Sequence, residues 1–173
     1  MKSVLALTTL ALSLTGCSTY RFGNISHPQL STIAVGDVEN SSSDPRLTHL
    51  ARAKLPASFM RDGSLKLTSA DKADCVLHSK VLGYEVSNIG EIRTESNDED
   101  QRQYRTVMYG VSVEVEYALY PPAQDRPILA AKVVRGSAEF ARAGDLQLGM
   151  DDALDRAMAD AAGKIVSGVV EAW

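Results

Sequence analysis

The chain has 173 residues, of which 45% are hydrophobic and 23% charged, and its formal net charge is −4. A chain of that length can bury a core without staples, and its two cysteines do not make a disulfide framework. The acidic balance excludes a nucleic-acid binder on bulk electrostatics, so an anionic ligand would need a local basic patch.

The first sixteen residues read as a leader. Lys2 supplies a positive start, Val4 to Leu14 is apolar apart from small Ser and Thr, and small residues precede Cys17. The apolar run is too short to span a bilayer comfortably. Leu14-Thr15-Gly16-Cys17 resembles a bacterial lipobox, which implies lipid on the Cys17 sulfur, cleavage before it and acylation of the new amino group. Cys17 is then a membrane anchor, and several acyl chains hold a membrane stably where one does not. Ser18 follows where an inner-membrane retention signal usually carries Asp, so the same resemblance implies the periplasmic face of the outer membrane. Losing Lys2 with the leader moves the net charge from −4 to −5. The expected organisation is a leader over 1–16, a lipidated tether over 17–30 and a single domain over 31–173.

Gly23, Asn24, Ser26 and Pro28 break any regular pattern in the tether. Thr32 to Val38 reads as a first, largely apolar and central strand, followed by a polar turn over Glu39 to Asp44. Asp44 and Pro45 then predict a helix start, with Leu47, Leu50, Ala51, Leu55 and Phe59 on one face. Pro56 inside that stretch predicts a kink or an interruption, and Asp62-Gly63 closes it. Leu65 to Thr68 is a short strand candidate and Cys75 to Val86 a longer one. In the longer strand the apolar parity switches near Gly83, which predicts a bulge. Cys75 reads as a buried free thiol. Asn88 to Gln103 reads as a long polar loop, acidic at Glu95, Asp98, Glu99 and Asp100.

Tyr104 to Tyr120 has the clearest pattern. Val107, Tyr109, Val111, Val113, Val115, Tyr117 and Leu119 share one face, and Ser112, Glu114 and Glu116 share the other. Such alternation predicts a strand with one buried and one wet face. Pro121-Pro122 ends it, and Ile128 to Phe140 reads as its partner. A final helix opens at Asp151-Asp152, with Leu154, Ala157, Met158, Ala161, Ile165, Val169 and Trp173 as its apolar stripe. The predicted fold is α+β, a two-layer sandwich with two helices packed on one face of a mostly antiparallel four- to five-stranded sheet.

Catalytic chemistry has little support in these residues. His27, His49 and His78 share no metal-ligand spacing, and no phosphate-cradling or nucleophile-elbow motif is present. Glu114 and Glu116 read as a solvated strand face. No cofactor and no metal are expected. Arg93, Arg102 and Arg105 flank the acidic segment, and Lys132, Arg135 and Arg142 lie on or after the last strand. If the two long strands are neighbours, these residues make a candidate basic patch, against the alternative of ordinary surface charge.

Tyr20-Arg21-Phe22-Gly23 after the lipidated cysteine resembles the start of the lipopolysaccharide-assembly lipoproteins of the LptE family. Ile33-Ala34-Val35, the helix ending Arg61-Asp62-Gly63, Glu116-Tyr117-Ala118-Leu119 and the Ala131-Lys132-Val133 strand continue the resemblance, which is one of element order along the mature chain. It implies an outer-membrane lipoprotein that plugs the β-barrel LptD and helps deliver lipopolysaccharide, binding and assembling and not catalysing. Arg93, Arg102, Arg105 and Lys132 are the candidate lipopolysaccharide contacts under it. Thr32 to Asn40 also resembles the first strand of CsgG- or LpoB-type lipoproteins, which build secretion channels or activate peptidoglycan synthases. Those imply helix–strand alternation after the first helix. An envelope hydrolase is the alternative from another functional class.

Overall fold

The computed structural model describes residues 30–94, 103–142 and 145–171, with side chains left out of the description over 92–106. The leader, Cys17, the tether to residue 29, the acidic Glu95–Asp100 stretch, Arg102 and Trp173 therefore lie outside the described residues. The element order is β1 (Thr32–Asn40), α1 (Arg46–Asp62), β2 (Lys66–Leu67), β3 (Cys75–Thr94), β4 (Gln103–Tyr120), β5 (Leu129–Ala141) and α2 (Leu146–Val170). The strands form one sheet in the order β2-β1-β3-β4-β5, and both helices pack on one face of it.

The sheet is mixed and not mostly antiparallel. β1 runs parallel to both β2 and β3, while β3–β4 and β4–β5 are antiparallel. The cause is α1, which carries the chain back to the level where β1 began, so the next strand must run the same way. Among the described residues β1 is covered on its outer side by the short segment around β2, where the Lys66 and Thr68 N–H groups donate to the Ser31 and Ile33 carbonyls at 2.9 and 3.0 Å. It also carries a bulge between Val35 and Val38. Gly36 sits in this bulge, where a Cβ would approach the carbonyl oxygen of Leu77 to 3.0 Å.

α1 begins at Arg46, one residue later than Asp44-Pro45 suggests, but Asp44 still serves its start. Its carboxylate accepts from the Arg46 N–H at 2.9 Å and from Arg46 Nε at 3.0 Å. Leu47, Ala51, Leu55 and Phe59 are buried. The helix runs through Pro56 without interruption. The carbonyl deprived of a partner belongs to Arg52, an exposed residue, so solvent can satisfy it. Gly63 ends the helix in the left-handed region at φ 76°, its N–H donating to the Phe59 carbonyl at 3.0 Å.

β3 is 20 residues long and runs well past Val86, so the upper half of the expected loop is strand. The bulge expected near Gly83 is present as a register shift between Val81 and Gly83. β1 pairs no further than Asn40 with Val81, so beyond that level β3 and β4 continue as an arm. α2 starts at Leu146, well before Asp151, because the Asp145 carboxylate accepts from the N–H groups of Gln147 and Leu148 at 2.8 and 3.4 Å. Its Ala153, Ala157 and Ala161 face the sheet fully buried. Ion pairs from Arg46 to Asp151 at 2.5 Å and from Lys54 to Asp155 at 2.6 Å tie the two helices side by side.

One clasp fixes the point where the tether enters the sheet. Ser31 and Thr32 donate to Asp74 Oδ2 through both their N–H and hydroxyl groups at 2.8–2.9 Å. The Asp74 N–H returns a bond to Thr32 Oγ1 at 2.9 Å. The Ser31 N–H, the two hydroxyls and the Thr32 N–H hold the Asp74 carboxyl down to about 2. A carboxyl depressed in the folded state stabilises above its unfolded value near 3.9 and loses that contribution as pH falls through about 2. Asp74→Ala should therefore lower Tm at pH 7, and the gap to wild type should narrow as pH approaches 2. A gap that is constant with pH would contradict the charge-based clasp.

Candidate functional site

The face of the sheet away from the helices is built from the wet side of the alternating strands. On β4, Ser112, Glu114 and Glu116 lie there while Val111, Val113 and Val115 are buried under the helices. Register adds the neighbours: Lys80 stands opposite Glu116, His78 opposite Ala118 and Val76 opposite Tyr120. Below the turn after β4 this face forms a cleft of about 620 Å³, lined among others by Asp37, Glu39, His78, Lys80, Glu116 and Tyr120. His78 packs edge-on against Tyr120 with ring centroids 5.0 Å apart at 71°. Lys80 reaches Glu39 at 3.9 Å. Higher on the face Arg135 spans the sheet, pairing with Glu85 of β3 at 2.5 Å and with Glu114 of β4 at 3.6 Å. The surface offers mixed charges, an aromatic pair and hydrogen-bonding groups, which suits broad polar recognition.

Glu114 is thus an ion-pair partner of Arg135, and Glu116 lines the cleft. His49 is exposed on α1. Among the described residues no group of three His, Cys, Asp or Glu side chains converges on a metal position. Cys75 is a buried free thiol, as its sequence context predicts. Burial, with the Asp74 charge beside it, pushes its thiol up to about 11, so it stays protonated at neutral pH.

Of the candidate lipopolysaccharide contacts among the described residues, Lys132 does not cluster with Arg93 and Arg105. β4 and β5 are neighbours, as the patch required. Arg93 pairs with Tyr104 and Arg105 with Ile92 near the end of the arm, while Lys132 pairs with Tyr117. Arg105 and Tyr117 are twelve residues apart on one strand, about 40 Å at roughly 3.3 Å per residue. Arg102 lies outside the described residues. The cleft residues were missed because only the β3–β4 register brings His78 to Tyr120, and no local spacing encodes that pairing.

No family model matches the chain, and no curated protein matches it. Solved structures do. Protein XCC0632 from Xanthomonas campestris, of the DUF330 family, superposes with a TM-score of 0.58 at 12% identity, covering 88% of this chain and 91% of that one. A minor lipoprotein from Acinetobacter baumannii gives 0.51 at 10% identity, covering 82% and 94%. The PelC dodecamer subunit from Paraburkholderia phytofirmans gives 0.51 at 14% identity, covering 87% and 95%. At these identities the finding is a shared fold, the two-helix α+β sandwich that this chain adopts over nearly the whole length of each of those structures.

Proposed function

We propose that the chain is a lipid-anchored lipoprotein of the outer membrane that sits in an LptD-like β-barrel, helps assemble it, and assists lipopolysaccharide delivery without catalysing a reaction. The observation that carries this reading is the helix-free sheet face. It is polar, its charges are spread and mutually paired, and it continues into an arm, which suits wide contact with the wet wall of a barrel lumen. The order strand, helix, four consecutive strands of which the last three are antiparallel, helix supports it over the CsgG or LpoB type, which would alternate helix and strand after α1. A fold shared with a minor lipoprotein supports anchoring through Cys17. An envelope hydrolase has no comparable support, and an assay on cell-wall or lipid substrates should find no turnover.

Within this reading Arg93 and Arg105 on the arm, with Arg102 beyond the described residues, are the lipopolysaccharide contacts, and Lys132 leaves the set because of its distance from Arg93 and Arg105. The experiment has two arms. Cys17→Ser should abolish labelled palmitate incorporation and release the chain from membranes, since serine cannot carry a thioether; persistent labelling would remove the anchor. Reversing Arg93, Arg102 and Arg105 together to Glu should weaken lipopolysaccharide binding several-fold in a salt-dependent way, while Lys132→Glu leaves it unchanged. Equal effects of the two would remove the arm assignment.

A further inference from the structure

The two long edges of this sheet are treated differently. β5 is an edge strand along its whole length, and α2 side chains close it from Arg135 to Glu139. Asp160 accepts from the Ser137 N–H at 2.9 Å, Lys164 donates to the Arg135 carbonyl at 2.8 Å, and Arg156 donates to the Glu139 carbonyl at 2.8 Å. These are the backbone groups that would otherwise template another strand.

The same bonds fix which groups are free on the other edge. If residues 135, 137 and 139 point away from β4, their alternates bond to β4. Residues 110, 112 and 114 of β4 then bond to β3, opposite Ser87, Glu85 and Gly83. Tyr84, Val86 and Asn88 therefore aim their N–H and C=O groups away from β4. β1 has ended by this level, and its last link to β3 is the Ser41 N–H on the Val81 carbonyl at 2.9 Å. Among the described residues nothing caps Tyr84, Val86 or Asn88. Tyr84 and Val86 also pair with Val113 and Val111, so they share the helix-side face, yet they are 36% and 40% exposed.

We infer that this edge of β3, from Gly83 to Asn88, receives an extended strand from another protein, apolar toward the helix side and basic toward the open face. Backbone pairing supplies affinity and the alternate side chains supply selectivity. An apolar row would cover Tyr84 and Val86. A basic row would meet Glu85 on the open face, where Arg135 is shared between Glu85 and Glu114 and leaves one net negative charge, with Glu91 exposed just beyond the stretch. A second copy of the chain fits poorly, because Leu82 to Glu91 contains these two acids and no Lys or Arg, so edge-to-edge pairing sets like charges together. The inference goes beyond the barrel reading and is testable without any barrel.

The test uses full-length chain in detergent and two synthetic nonapeptides, one alternating Val with Lys and the other Val with Glu. The Val–Lys peptide should bind roughly tenfold or more tightly than its acidic counterpart and slow amide exchange at Tyr84, Val86 and Asn88. Val86→Pro removes an N–H that points outward and leaves the β4 ladder intact, so binding should fall roughly tenfold. Val86→Lys, which keeps the backbone unchanged, should weaken the same peptide and guards against a folding defect in the proline variant. No binding, equal binding of the two peptides, protection confined to other residues, wild-type binding by both variants, or a concentration-dependent dimer abolished by Val86→Pro would each overturn the inference.

Discussion

Val113→Asp should leave no folded domain at ambient temperature. Val113 is fully buried on β4, with Tyr84 and Gly136 as its cross-strand neighbours and the helix layer above. A carboxylate there has no cationic partner and must either ionise unpaired or take up a proton in an apolar site, a loss of about 4 kcal/mol or more. A loss of that size approaches or exceeds the low end of ordinary domain stability, about 5 kcal/mol. Glu114→Ala, one residue along, should cost no more than about 1 kcal/mol, because Glu114 faces the open side and its pair with Arg135 is half exposed. Circular dichroism melts of the two variants decide it. Similar melting temperatures would contradict the inside–outside assignment of β4.

Gly136→Val is expected to be nearly as damaging, for a steric reason. Gly136 lies on the helix side of β5, opposite Val113. A Cβ built there would overlap the Ala157 carbonyl oxygen and lie 2.5 Å from the Ala161 nitrogen. Those obstacles are helix backbone, so a rotamer change cannot relieve them. α2 would have to lift from β5, which also strains the edge-closing bonds of Asp160 and Lys164. The expected loss is about 3 kcal/mol or more. Gly136→Ala should show a smaller loss of the same kind, whereas Gly163→Ala, with open space around its Cβ position in the same helix, should be neutral or mildly stabilising. A destabilisation by Gly163→Ala as large as that at Gly136 would contradict close helix–strand packing as the cause.

The parts of this fold that could be read from residues alone are those where one face is buried and the other wet. Val111 to Leu119 alternate strictly because helices cover only one side of β4, so the periodicity survives in the chain. The arm hides its strand character because Gly83, Ser87, Asn88, Gly90 and Glu91 lie where neither face is fully covered, and composition then resembles a loop. The first turns of α2 hide for a related reason. Leu146 and Leu148 are 44% and 70% exposed and Gly149 packs against Phe140, which blurs the apolar stripe. Asp145 was a usable start signal for that helix. Parallel pairing of β1 with β3 leaves no local trace, since it depends on the path of α1. The open-face cleft could not be read either, because its lining comes from four segments that only the sheet order brings together.

Isolation of the full-length lipidated chain from its own envelope, under detergent conditions that preserve outer-membrane complexes, tests the proposed function most directly. The account predicts recovery with a large outer-membrane β-barrel at about one chain per barrel, and loss of the folded, heat-modifiable form of that barrel when the chain is depleted. Recovery of the chain alone or only as a ring of identical copies, with outer-membrane barrels folded normally in its absence, would contradict it.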